Sequence, residues 1–158
     1  MAARRKLRFA SAGMAAVSPE NFQDVVDELK SFLGVEVALF NTIGRGTLGG
    51  TMAALEGFQK KAQEQAWPVK IKLLKVEGPY HTAAFSPARV ALQSAVAGLS
   101  IKRPEVPVFM GTSGQPETEP ARIAELLASQ ADSPELHLAA VRASYEHGCR
   151  RYLEVANK

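Results

Sequence analysis

Disulfides are the first thing this sequence lacks. A single cysteine, Cys149, stands among 158 residues, which excludes an intrachain disulfide framework and a zinc site built from several cysteines. No apolar run approaches the roughly 18 residues that a membrane-spanning helix needs. The N-terminus is basic, with Arg4, Arg5, Lys6 and Arg8, but the apolar stretch at 9–17 is short and broken by serine and glycine, so it is not read as a secretory signal. A basic stripe with interleaved aromatics is missing too, and the net charge is only +3. Nucleic acid is therefore not an expected partner, and the basic terminus is read as solvated. Nowhere does the chain contain G-x-S-x-G, the signature of a serine held on a strained strand-to-helix elbow. No histidines or carboxylates pair at metal-ligand spacing, so neither a metal nor another cofactor is expected. The remaining balance, 46% hydrophobic and 22% charged residues, is that of a globular protein, and a cytoplasmic setting is expected.

What is present is a clear alternation of elements. Residues 11–18 read as a short strand. Ser18-Pro19-Glu20 then opens a helix, with Ser18 as cap and Phe22, Val25, Val26, Leu29 and Phe32 at helical spacing, closed by Gly34. Residues 35–43 alternate as a strand, 44–46 turn, and 47–51 read either as a strand or as a continued glycine loop. Residues 52–67 form a helix with Met52, Leu55, Phe58 and Ala62 on one face, ended by Pro68, and 69–76 form a strand. With 47–51 as a strand, the order is βαββαβ, that of a ferredoxin-like sheet. The second half is expected to alternate helix and strand as an α/β layer does. Its elements are a helix at 87–99 (Val90, Leu92, Val96, Leu99), a buried strand at 106–110, a helix at 120–130, a helix from Ser133-Pro134-Glu135 to about His147, and a last strand at 151–155.

Between the halves, Gly78-Pro79-Tyr80-His81 places a histidine between a strand end and a helix start. Such a position suits proton transfer, and a structural role stays open beside it. Gly44-Arg45-Gly46-Thr47-Leu48-Gly49 fits the dinucleotide fingerprint G-x-G-x-x-G, with Glu77 as the later acidic residue. Glu77 comes later than the usual spacing, and a glycine-rich hairpin is the preferred reading. Ser113 sits in a polar turn, Cys149 is expected buried, His137 is expected on a core-facing helical surface, and His147 at a helix end.

From about Gly13 onward the chain resembles the malonyl-CoA:acyl-carrier-protein transacylases and the acyltransferase domains of polyketide synthases. The matching runs are 13–17, then 35–41 ending in Asn41, then Gly78-Pro79-Tyr80-His81-Thr82 with Pro87-Ala88. Pro104 to Pro107 with Gly114, Leu127 to Gln130 with Ser133-Pro134, and Gly148 with Leu153-Glu154-Val155 follow. The resemblance implies an α/β (α+β) fold. Residues 11–76 would be the ferredoxin-like small subdomain, and 77–158 the returning part of an α/β-hydrolase-like large subdomain. It implies His81 as the catalytic base and later acid, with the Gln130 backbone carbonyl orienting its ring. Tyr80 and Asn41 would line the substrate, Tyr80 in the malonyl-preferring pattern. Arg8 is the nearest candidate for the carboxylate-binding arginine, although the segment between it and Gly13 is shorter than in the family. The implied partners are malonyl-CoA, acyl carrier protein and a serine-bearing half, because the family's G-x-S-x-G serine has no counterpart here. The expected function is thus a partial acyltransferase, with a non-catalytic carrier-protein or coenzyme A module, or a nucleotide-binding domain using 44–49, as alternatives.

Overall fold

The computed structural model describes residues 12–155. Its first half is built on strand β1 (Ala12–Ser18), whose small and β-branched residues let neighbours close in on both sides. Helix α1 (Phe22–Leu29) follows, with the Asn21 side chain accepting from the Gln23 backbone N–H. Strands β2 (Val35–Thr42) and β3 (Arg45–Thr51) form a hairpin across the turn at 43–44. Thr51 caps helix α2 (Met52–Glu64) by accepting from Ala54 N–H, and β4 (Lys70–Leu73) completes the sheet. The strand order is β2-β3-β1-β4, antiparallel throughout, so the sheet is ferredoxin-like. Ala15 faces Leu48 across β1 and β3, and these two join Val17, Val35, Phe22, Val25, Leu55 and Phe58 in one buried cluster. Phe58 anchors it, with Phe32 and Trp67 set edge-on against its ring at 5.2 and 5.8 Å.

The second half is helical. A single 3-10 turn (Ala83–Phe85) runs into helix α3 (Ser86–Ala97). A two-residue hairpin, β5 (Val108–Phe109) with β6 (Pro116–Glu117), precedes helices α4 (Pro120–Ser129) and α5 (His137–Glu146). Its buried cluster is Met110, Ile123 and Leu126, with Ile101 packed on it. The stretch 133–136 runs along strand β2: Phe40 N–H donates to Glu135 O and Glu135 N–H to Ala38 O. A parallel bridge between Leu39 and Glu135 results, which occupies the middle of the outer edge of β2.

The ambiguous stretch 47–51 is therefore a strand, the central partner of both β1 and β2. Other expectations need correction. The helix cap is Asn21, because Ser18 is still paired in β1 opposite Lys70. Gly34 lies in the left-handed region at φ 83°, five residues past the end of α1 at Leu29, and turns the chain into β2. Helix α5 begins at His137, since the backbone of 133–136 is spent on the β2 edge. Residues 151–155 are not a strand; Leu153 and Val155 are almost fully exposed, and no strand lies beside them among the described residues. Val106, expected buried, is 70% exposed, and the only parallel pairing among the described residues is the Leu39–Glu135 bridge. His137 is exposed rather than in the core, and Cys149 is half-buried.

Candidate active site around His81

After β4 the chain crosses back over the sheet through Gly78 and Pro79, both buried. The crossing is close. A Cβ added at Gly49 on β3 would lie 2.6 Å from Thr82 Cγ2 and 3.3 Å from Pro79 Cβ, so only glycine leaves room. The Thr82 hydroxyl is buried and donates to Pro79 O at 2.6 Å, closing a tight turn around Tyr80 and His81.

Within that turn His81 sits at φ 59°, in the left-handed region that a side chain other than glycine seldom adopts. Two bonds to the end of α4 hold it there. His81 N–H donates to Ala131 O at 3.1 Å, and the ring Nδ1 lies 2.8 Å from Gln130 O. A carbonyl only accepts, so Nδ1 carries a proton, and in the neutral ring Nε2 is the acceptor. Among the described residues nothing hydrogen-bonds to Nε2, and the ring is half-buried. Strained backbone persists only where its surroundings over-determine it, and this turn meets that condition.

Two further contacts frame the turn. Ala83 N–H, which starts the 3-10 turn directly after His81 and Thr82, donates to the Glu36 carboxylate on β2 at 3.1 Å. Arg89 on α3 meets Asp132, the residue after Ala131, at 3.4 Å, with the Asp132 side chain only 11% exposed. Neither Glu36 nor the Arg89–Asp132 pair stood out in the sequence. Glu36 occupies an outward position of an alternating strand, where a carboxylate is expected in solvent.

Of the residues singled out beforehand, the structure joins His81 and Gln130. Tyr80 lies next to the histidine but turns outward, 38% exposed, its ring 4.6 Å from that of Phe85. Asn41 is half-buried near the end of β2 and makes no hydrogen bond to His81. Arg8 lies outside the described residues. The glycine-rich stretch 44–49 is not a phosphate loop. Residues 45–51 are strand β3, whose backbone is paired on both sides, and Gly46 accommodates the Phe22 ring just as Gly49 accommodates Thr82. Clefts of about 220, 310 and 330 Å³ lie elsewhere, around Trp67 and around Leu136 to Glu146. Among the described residues no group of three His, Cys, Asp or Glu side chains could hold a metal, and no helix is long and apolar enough to cross a membrane.

No family model matches the chain. A malonyl-CoA–acyl carrier protein transacylase of Bacillus subtilis is 29% identical over 146 residues, 92% of this chain and 45% of that protein. The crystal structure of a malonyl-CoA:acyl carrier protein transacylase from Xanthomonas oryzae superposes with a TM-score of 0.82 at 27% identity, covering 90% of this chain and 46% of that one. The acyltransferase domain from module 8 of the salinomycin polyketide synthase shares the fold at 19% identity, with a TM-score of 0.76 over 87% of this chain. The chain spans about half the length of the relatives it matches. By sequence and by fold it is similar to malonyl-CoA–acyl carrier protein transacylases over about half of their length.

Proposed function

We propose that the chain carries the histidine side of a malonyl-transfer site, with residues 11–76 as its small subdomain and 77–158 as the C-terminal part of its large one. The observation that carries this reading is the His81 ring held by Gln130 O through Nδ1, which leaves Nε2 as a base. In transfer, Nε2 would take the proton of a serine hydroxyl as that oxygen attacks the malonyl thioester. The same proton would then go to the coenzyme A sulfur as it leaves. The reverse sequence would pass malonyl from serine to the phosphopantetheine thiol of an acyl carrier protein. Tyr80 and Asn41 are the proposed substrate-facing residues, and Arg8 the proposed partner of the malonyl carboxylate. A cytoplasmic setting, expected from the sequence, goes with this reading.

The serine itself has to come from a polypeptide segment beyond these 158 residues, because they contain no G-x-S-x-G. Intact-mass measurement after incubation with malonyl-CoA should therefore show no malonyl adduct on this chain alone. An adduct would refute the assignment of the nucleophile elsewhere. Reconstituted with a serine-bearing half, the His81→Asn variant should lose about 10²- to 10⁴-fold in transfer rate. Unchanged turnover would remove His81 from the mechanism. Thermal stabilisation by NAD(H), and by neither malonyl-CoA nor carrier protein, would replace the acyltransferase reading with a nucleotide-binding one.

A further inference from the structure

The position of His81 is set by the two consecutive carbonyls of Gln130 and Ala131, so whatever holds those carbonyls also aims the ring. They emerge from the last turn of α4, where Gln130 N–H still bonds to Leu126 O and Asp132 N–H folds back to Ser129 O. The chain then leaves for the β2 edge through Ser133 and Pro134. The side chain of Asp132 is the ionic tie here: its carboxylate is 11% exposed and receives Arg89 at 3.4 Å, with Ser133 Oγ also donating at 3.5 Å. Arg89 stands on the first turn of α3, the helix that follows His81 in the chain. A triangle is thereby closed. His81 is joined covalently to the start of α3, by hydrogen bonds to the end of α4, and the two helix ends are joined to each other by the ion pair. A carboxylate this well covered costs free energy once its counter-charge is removed, and the local backbone is what gives way.

We propose that Arg89 and Asp132 are a positioning pair for the proposed base, fixing the Gln130 carbonyl and with it the tautomer and direction of the His81 ring. This rests on the reading of His81 given above and adds residues that touch no substrate. The pair acts on the ring only through the backbone it holds.

The test is NMR of the full chain with ¹⁵N-labelled histidine, following the His81 ring nitrogens and the exchange of the Nδ1 proton with water. In the unaltered chain the ring should be in the Nδ1–H form with slowed exchange. Arg89→Met and the milder Asp132→Asn should each speed that exchange roughly tenfold or more and mix the tautomers, while the amides of β1 and β3 keep their positions. The double reversal Arg89→Asp with Asp132→Arg should restore the slow-exchanging form, which a loss of general stability would not do. Should either single variant fold with an unaltered His81 ring, or the reversal fail to rescue it, the pair has no positioning role. An unaltered chain without the Nδ1–H form would overturn the proposal at its root. The acyltransferase reading fails separately, if the pair behaves as stated but His81→Asn leaves transfer by the reconstituted enzyme unchanged.

Discussion

The two halves of this chain bury their apolar residues very unequally. The sheet half concentrates eight buried residues in one cluster under two helices, with two aromatic rings, Phe32 and Trp67, set against Phe58. The helical half has three buried residues in its cluster, and α3 has none, although Val90, Leu92 and Val96 are all apolar. An amphipathic pattern states that a face is to be covered, and not by what. In the sheet half the cover lies within the described chain, and in the helical half it does not.

The inequality can be broken or sharpened by experiment. The largest effect expected is from Phe58→Ala, which empties the centre of the first cluster and should cost about 3–5 kcal/mol in denaturant unfolding. Leu126→Ala in the smaller cluster should cost about 2 kcal/mol, because its partly exposed surroundings can close over the gap. Equal costs would mean that the second core is larger in solution than its buried residues suggest. Next comes the junction. Gly49→Ala pushes a methyl group into Thr82 and Pro79 and should destabilise by about 1–3 kcal/mol, with the His81 ring resonances moving as well. An unmoved ring would show that β3 does not brace the histidine turn. Smaller still is Val90→Ser on the open face of α3, expected within about 0.5 kcal/mol of neutral. A clear loss of stability or of molecular size there would reveal that the face is covered in solution.

Much of this was readable in the residues, for a definable reason. In the sheet half, period-two and helical patterns both point to one core, so the elements and the ferredoxin-like order follow from local signals. The residues 151–155 carry the same strand-like pattern, yet no strand lies beside them among the described residues for that pattern to pair with. Residues 133–136 show the opposite failure. Ser133-Pro134-Glu135 has the chemistry of a helix start, but the unpaired edge of β2 takes the backbone first. At the site, His81 was visible as a side chain at a turn. Its partner is a main-chain oxygen 49 residues away, which leaves no mark in any side-chain pattern and was reached only through the family resemblance. The left-handed backbone of His81, Glu36 on Ala83 and the Arg89–Asp132 pair had no signal at all.

The smallest effect expected is one of pH. Glu117 has its carboxyl held below its ordinary 4.5 by the backbone N–H of Glu119 and then of Thr118, just ahead of α4. A depressed folded-state value adds stability that is fully present above the ordinary carboxylate range. That stability is lost as the pH falls through the lowered value. Amide exchange at the start of α4 should quicken in acid relative to β1 and β3, and Glu117→Gln should remove that difference.

The bridge between Leu39 and Glu135 has a consequence for how copies of the molecule meet. A four-stranded sheet has two rims, and each is a template on which another chain can crystallise as an added strand. One rim is occupied at its middle by Glu135 of the same chain. The other, β4, is only four residues long, presents exposed Lys70 and Lys72, and has the carbonyl of Ile71 occupied by the Gln59 side chain. Strand-by-strand aggregation is therefore guarded against at both rims, and any tendency of this chain to self-associate should come from the bare helix α3 instead.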